Sequence, residues 1–575
     1  LVGVETIVGY AFERDAAAGV KRVEGYYRSL WGAELVREQC AAGPVGLISW
    51  SRAEQLSNWP AWQQDGGLSV AGLYAPLGYE SVVGNLAPAR AAVPLARAVM
   101  AAPSKMLELA APFVLAAVDH GAERIELFTD SVGLGRLFQV RTTDGWVWSN
   151  RPVAACLFAD MPVQASAEGW LYAAGCGWFM GDTTPYTGVR AVPGATHIAV
   201  DARRRLVTRI DATSIWSGSA PVEETAEALR GVARSIGHLW PGTPTVDLSG
   251  GRDSRVVAAA FLSAGVDVRL NSYGAEAELA EQLVAALPYE VEHAVKRPQV
   301  VAASAAPALP EVVERVRKWH RYGEGLRPSS YLFHGPPRDL AVDHLAIGGA
   351  GGEVAHGHFY PRDVLALDAS PSKIDLFTQR LTARLVPASG PAAAARAAVS
   401  GQIRRVLRDA SDGGLDDARM LDHFYIVERL RRWGTTGERN GVVSPLLLPA
   451  FLRSAFSLTT PQRVGNELHL ALLRALVPQW ADIPFYKPQA SAPAAVKRLG
   501  AVPDRAEVHA RLSGSEDFDG AAVEALWALS VAGKSTAADE VALRQLLWRS
   551  VFDDHLSDVN QHVSRPVRVV SKPRP

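Results

Sequence analysis

The densest run of residues able to do chemistry is Asp247-Leu248-Ser249-Gly250-Gly251-Arg252-Asp253-Ser254-Arg255. Two adjacent glycines let a backbone approach an anion closely and leave N–H groups free to point at it. Ser249 and Ser254 add hydroxyl donors. A helix opening immediately afterwards adds a favourable dipole for a phosphate. Asp253 cannot donate to a phosphate, but beside one a carboxylate makes sense as a magnesium ligand. The run lacks the terminal Lys-Ser/Thr of a Walker A loop and the glycine spacing of a dinucleotide fingerprint. An ordinary glycine turn with an aspartate cap is the competing reading. The strand before it, the helix after it and the Asp-Ser pair weigh against that reading.

Other reactive residue types are sparse. The cysteines are Cys40, Cys156 and Cys176, with no C-x-x-C pair, so buried free thiols are expected rather than a zinc knuckle or disulfide framework. His356 and His358 form an H-x-H pair, but no H-E-x-x-H or carboxylate-rich partner motif accompanies it. A catalytic transition metal is not expected.

The elements that must position the glycine run follow from periodicity. Thr245–Leu248 reads as a strand, Val256–Leu262 as a helix and Val266–Leu270 as a second strand. Glu278–Leu287 then reads as a helix and Val291–Val295 as a third strand. His344–Gly348 is a fourth strand, ending in a glycine cluster. Alternating strands and helices predict a doubly wound parallel sheet, with the run at the carboxyl end of a strand, where such sheets bind ligands. Apolar residues at 226, 229, 232 and 236 predict a helix over 222–239. Residues 385–540 read as mostly helical. Before residue 216, short alternating runs predict a layered α+β domain, with strands at Ala71–Tyr74, Arg124–Thr129, Gly145–Ser149 and His197–Val200, and helices at 86–100 and 103–118. Ser217–Pro221 reads as a linker. The division expected is therefore 1–216 and 217–575.

Of the 575 residues, 48% are hydrophobic and 21% charged, which excludes a disordered chain. Lys+Arg 59 against Asp+Glu 60 gives a net charge of -1, which argues against nucleic acid or a membrane surface as a partner. No apolar run reaches the roughly 18 residues of a membrane span. The first residues lack the basic start of a signal peptide, so a cytoplasmic enzyme is expected. The tail from Pro566 to Pro575 is expected to be disordered.

The S-G-G-x-D-S run resembles the pyrophosphate loop of ATP pyrophosphatases, in their asparagine-synthetase-like branch. Ile347–Gly357 resembles that family's second glycine loop, whose acidic magnesium ligand falls on Glu353. Arg439–Ala455, with Val-Ser-Pro445-Leu-Leu-Leu-Pro, loosely resembles its R-x-P-F-L-D segment. Leu472–Pro478 with Ile483-Pro-Phe-Tyr-Lys487 resembles the stretch carrying its active-site lysine. The resemblance covers about 217–500. It implies an adenine nucleotide alpha-hydrolase-like fold with helical additions. It places ATP against Ser249, Gly250, Gly251, Asp253, Ser254, Ser272 and Gly349, and Mg2+ on Asp253 and Glu353. Asp119–Arg151, with the Asp130-Ser-Val-Gly133 turn, and Trp170–Gly194 resemble the same family's glutaminase domain. That domain's nucleophile is an amino-terminal cysteine, whereas residue 1 here is Leu, so glutamine is expected to be neither used nor required.

The resemblance implies an ATP-dependent amide-forming ligase that releases AMP and pyrophosphate. Lys487 would stabilise developing negative charge. Lasso-peptide cyclases and β-lactam synthetases are members without the cysteine. The second carry a tyrosine, paired with a glutamate, in the second glycine loop, where this chain has Ala350. The G-x-G-G-E form resembles the lasso cyclases, in which a peptide's amino-terminal amine attacks an adenylated Asp or Glu side chain to close a macrolactam ring. The partners implied are a linear, leader-cleaved precursor peptide and the leader protease and leader-binding protein of its pathway. Glu428, in the helical stretch Tyr425–Trp433, is the candidate proton acceptor, against a helix-surface glutamate. Arg429, Arg431, Arg432 and Trp433 are expected to form a solvated face with one core Trp rather than a peptide groove. The alternatives are a ligase joining separate small molecules and a non-catalytic binding homologue.

Overall fold

The computed structural model describes residues 6–13, 15–31, 35–52, 57–202, 205–297, 309–333, 345–361, 363–366, 373–386, 394–433, 442–487, 496–514 and 519–564. Leu1, His344, Arg439, the stretch 490–494 and the tail 566–575 lie outside them. The fold is mixed α/β, with two antiparallel sheets and one parallel sheet.

The first two sheets use β1 Thr6–Ala11, β2 Leu35–Ala42, β3 Val45–Arg52, β4 Trp62–Asp65, β5 Leu68–Leu73, β6 Val114–Asp119, β7 Arg124–Thr129, β8 Phe138–Arg141, β9 Trp146–Ser149, β10 Val189–Ala191, β11 Thr196–Val200 and β12 Arg205–Arg209. Their orders are β10-β8-β9-β1-β3-β2 and β12-β11-β7-β6-β5-β4. They stack face to face over Ile7, Leu47, Ala116, Leu127 and Trp148. Helices Ala17–Trp31 and Pro152–Ala159 cover one outer face, and helix Ala92–Ala101 the other.

The expected helix 103–118 is a 3-10 turn, Pro103–Glu108, followed by strand β6. Val114, Ala116 and Val118 face the inter-sheet core, while Leu115 and Ala117 face the helix layer. A strand buried on both faces is apolar at every position, so its period of two disappears from the sequence. The Asp130 turn is held locally. Its fully buried carboxylate accepts the N–H of Phe113, Val132, Leu134 and Gly135 at 2.7–3.2 Å. Gly133 has φ +72°, and a Cβ there would lie 2.7 Å from the Gly194 nitrogen, so the turn and Pro193-Gly194 require each other's glycines.

The helix Val222–Leu239 buries Ala226, Leu229, Val232 and Ile236, the spacing read from sequence. The third sheet contains β13 Thr245–Asp247, β14 Arg269–Tyr273, β15 Glu292–Lys296, β16 Ala346–Ile347 and β17 Val442–Val443. All its pairings are parallel, in the order β15-β14-β13-β16-β17. β14 begins three residues later than expected, because Gly265 at φ +69° closes the preceding helix and leaves Val266 in the turn. β17 was not foreseen; two residues carry no periodicity. Among the described residues, 373–560 are mostly helical. Both large cores mix side chains from before and after residue 216.

The last helix, Ala537–Asn560, packs against helix Val313–Gly323 and creates two buried histidines. His320 Nε2 lies 2.7 Å from the Trp548 carbonyl and His555 Nε2 lies 2.7 Å from the Tyr186 hydroxyl. Burial pushes both imidazoles down, each to about 3. An unfolded chain protonates its histidines below about pH 6.5, whereas these stay neutral until far lower, so acid favours unfolding. Between pH 7.5 and 5 each costs about 2 kcal/mol of stability. The expected result is a urea midpoint that falls steadily across that window, and a flat profile would contradict the burial assignment.

Candidate active site

The chain leaves β13 towards β14 and β15 on one side, and later adds β16 and β17 on the other. The order of the sheet thus reverses between β13 and β16, and the carboxyl ends of strands at such a point are where open α/β sheets bind ligands. The two glycine segments start from those two strand ends and meet. A Cβ on Gly349 would lie 2.7 Å from both Asp253 Cβ and the Ser254 nitrogen, and one on Gly352 would collide with Asp253 Oδ1. Glycine is needed there for close approach.

In the first loop the Ser249 N–H donates to Ser254 Oγ at 3.1 Å, the two hydroxyls lie 2.7 Å apart, and the Gly251 N–H donates to Ser249 Oγ at 3.0 Å. The serines thus hold the loop in its curve as well as presenting hydroxyls. Helix Asp253–Ser263 starts directly below, with its first-turn N–H groups directed out of its end. Ser272, at the end of β14, is buried. It donates to the Leu248 carbonyl at 2.6 Å and meets His293 Nε2 at 2.8 Å, which fixes the strand end beneath the loop.

Asp253 lies between two histidines. His356 Nε2 is 3.2 Å from Oδ2 and His469 Nε2 is 2.7 Å from Oδ1. Burial alone would raise its carboxyl, but the hydrogen bonds and charges of the two imidazoles hold it well below the ordinary range. His469, on helix Glu467–Leu476, is fully buried, and burial lowers its imidazole. An ionised Asp253 receiving N–H bonds fits both shifts. Glu353 accepts the Gly351 N–H at 2.8 Å. Burial, and then the charge of Asp253, push its carboxyl up, and Tyr425 stands near it. Below the second loop, Tyr360 donates to Asp422 at 2.7 Å and Arg463 stands 3.4 Å from the same carboxylate. Burial raises Asp422 to about 7 against the pull of Arg463.

The acidic pair fits a magnesium ion. Mg2+ takes one or two carboxylates and completes its shell with water and phosphate oxygens. Burial is the larger cause of the raised Glu353, and the charge of Asp253, the smaller one, is what a divalent cation would relieve. Among the described residues no three His, Cys, Asp or Glu side chains form an all-protein metal cage, which a phosphate-sharing ion does not need.

Lys487 is exposed, and its segment is tied to the first loop. The Tyr486 N–H donates to the Gly250 carbonyl at 2.7 Å. Arg255 is fully buried beneath both. Its guanidinium donates to the carbonyls of Ile483 at 2.6 Å, Gly250 at 3.0 Å, Pro484 at 3.0 Å and Trp480 at 3.5 Å, and lies 4.7 Å from the Phe485 ring centroid.

The structure brings Ser249, Gly250, Gly251, Asp253, Ser254, Gly349 and Glu353 together, with the Lys487 segment beside them. Glu428 belongs to the π-helical turn Tyr425–Leu430 and is buried, not on a helix surface. It accepts the Gly181 N–H on both oxygens at 3.1 Å, and the Gln402 amide at 3.0 Å. These bonds run to the 181 turn and not to the glycine-loop acids; Tyr425, one turn earlier, faces Glu353. Glu428→Gln is therefore expected to reduce stability by about 1–3 kcal/mol, through its charged hydrogen bonds. The pH dependence of turnover should not change, and loss of its acid limb would restore Glu428 as proton acceptor.

The expected solvated arginine face is also turned inward. Arg431 is buried with Nη2 2.7 Å from the Val192 carbonyl, and Arg429 packs over the Trp178 ring. The side chain of Trp433 lies outside the described residues. Cys156 and Cys176 are buried thiols raised by burial, and Cys40 is half-buried. Sequence reasoning missed Arg255, His469 and Tyr425. The His356 signal was visible, but its carboxylate partner lies 103 residues away.

No protein-family model matches the chain, and no curated protein matches it. Two solved structures match at low similarity. One is described as the allosteric regulatory enzyme of purine biosynthesis, with 10% identity, 53% of this chain and 82% of that chain covered, and a TM-score of 0.24. Another is glutamine phosphoribosylpyrophosphate amidotransferase from B. subtilis complexed with ADP and GMP, with 11% identity, 65% and 89% covered, and a TM-score of 0.24. Among the described residues, no helix is long and apolar enough to cross a membrane.

Proposed function

We propose that this chain is an asparagine-synthetase-like ATP-dependent ligase that adenylates a carboxylate and closes an amide bond. The lead reading within that class is a lasso-peptide cyclase acting on a leader-cleaved precursor peptide. The observation that supports it is the meeting of two glycine loops at the switch point of a parallel sheet, with Asp253 and Glu353 against each other and the Lys487 segment tied to Gly250. The two sheets between Thr6 and Arg209 form the glutaminase-like layer of this reading.

Binding comes first. The Ser249–Ser254 loop and the helix end beneath it cradle the phosphates of ATP through N–H and hydroxyl groups. Asp253 and Glu353 would hold Mg2+, which would neutralise phosphate charge when bound. An Asp or Glu side-chain oxygen of the peptide attacks the α-phosphorus, and the bond to pyrophosphate breaks. The peptide's amino-terminal amine then attacks the acyl carbon and AMP leaves. Lys487 balances the negative oxygen that develops. The amine proton leaves to water, since Glu353 is committed to the ion and the oxygens of Glu428 serve Gly181 and Gln402.

A tyrosine near Glu353, Tyr425, favours a second reading, a ring-closing ligase for a small molecule, with its tyrosine supplied from another element than Ala350. The test is turnover with ATP, Mg2+ and a leader-cleaved linear peptide encoded beside this chain. The expected products are AMP, pyrophosphate and a peptide lighter by one water. ADP release would sink the adenylation step. AMP release with a small carboxylate but not with the peptide would select the second reading. Nucleotide binding without any cleavage would leave a non-catalytic homologue.

A further inference from the structure

We infer that Arg255 is the positioning residue that holds the Lys487 segment onto the phosphate loop; this rests on the reading of Lys487 given above. Arg255 stands in the first turn of helix Asp253–Ser263, two residues after the acid Asp253. A guanidinium taken wholly out of water normally finds a carboxylate. The described hydrogen bonds of this one run to main-chain carbonyls instead, on two separate stretches of chain. Gly250 belongs to the phosphate loop. Trp480, Ile483 and Pro484 belong to the segment that leads to Lys487.

The guanidinium suits that position because of its shape. Its five N–H donors lie in one plane, so a single side chain can serve carbonyls on opposite sides at once. The Tyr486 N–H donates to the same Gly250 carbonyl, and Phe485 covers the guanidinium face. Two bonds to Gly250 thus join the loop to residues 483–486 from both directions. A Cβ on Gly250 would lie 2.7 Å from Tyr486 Cβ, so the loop glycine is also what lets the segment sit this close. Lys487 is the next residue along. Its side chain is exposed and mobile by nature, but its backbone is held at a set place beside the loop. A surface lysine with no task at the loop would not need that base.

The experiment uses the full-length chain with Arg255→Lys and Arg255→Gln, each alone and combined with Lys487→Ala. Lysine keeps the charge but carries its three donors on a single nitrogen, so it cannot span both stretches. Hydrogen exchange in a peptide covering 480–487 should accelerate roughly tenfold, while peptides from the antiparallel sheets keep wild-type rates. Turnover should fall on the order of a hundredfold, with ATP affinity within about threefold of wild type. Combined with Lys487→Ala, the Arg255 variants should be no slower than Lys487→Ala alone, within about threefold.

Unchanged exchange at 480–487 overturns the inference. So does a double variant whose losses multiply, because Arg255 would then act by a route other than Lys487. If exchange accelerates but Lys487→Ala turns over normally, the reading of Lys487 has failed while the anchor itself stands. Should neither Arg255 variant fold, Phe485→Ala loosens the same segment from its other side, and is expected to give the same exchange pattern and the same lack of additivity with Lys487→Ala.

Discussion

Asp253→Asn loses ATP-dependent turnover by at least about a thousandfold while the chain stays folded, the scale expected when a ligand of the phosphate-neutralising cation is removed. The amide is isosteric and keeps one oxygen, but it carries no charge to hold a divalent ion. The two histidines refine the stability expectation. Asp253 accepts from His356 and His469, so the substitution weakens two charge-assisted hydrogen bonds and costs about 2 kcal/mol. The depressed carboxyl sets the pH dependence. Its contribution is complete above the ordinary carboxylate range and is lost as pH falls towards the lower folded value; the asparagine variant lacks it at every pH. Thermal melts beside AMP release by chromatography give both quantities. Turnover at the normal rate would refute the metal-ligand assignment.

Lys487→Ala retains ATP affinity within a few-fold while product formation falls on the order of a hundred- to a thousandfold. An ammonium beside a developing oxyanion acts mainly in the transition state, so its loss appears in turnover and not in nucleotide binding. Lys487 is exposed and its segment is held at Gly250, so the substitution removes no packing and stability should not move. Lys487→Arg should rescue poorly, because a planar guanidinium cannot occupy the point of an ammonium. Calorimetry with ATP beside mass spectrometry of the product separates binding from chemistry. Normal turnover in the alanine variant would return this lysine to the surface and leave the site without its electrophilic stabiliser.

What the sequence determined by itself is local. The Ser249–Ser254 loop was legible because two glycines, two hydroxyls and a helix start lie within six residues, and backbone geometry at that range needs no tertiary partner. The helix 222–239 was legible because its apolar spacing is the buried face it shows. The alternation of strands and helices from 243 to 295 predicts a parallel sheet, and the sheet is parallel. Where local patterns vanish, reading failed. β6 is buried on both faces and loses its period, so its sequence reads as part of a helix.

Tertiary structure alone decided who stands beside whom. Only the strand order sets β16 next to β13, and with it Glu353 against Asp253. His356 and His469 reach Asp253 across 103 and 216 residues, Tyr425 arrives at Glu353 from a helix, and Arg255 finds carbonyls rather than a side chain a motif could name. Glu428 has the composition of a catalytic acid but is turned towards Gly181 and Gln402 by the helix that carries it. The physical reason is the same each time. A residue type and its neighbours determine which chemistry is available, whereas the packing of distant elements determines which charges meet, which are taken out of water, and where each is held.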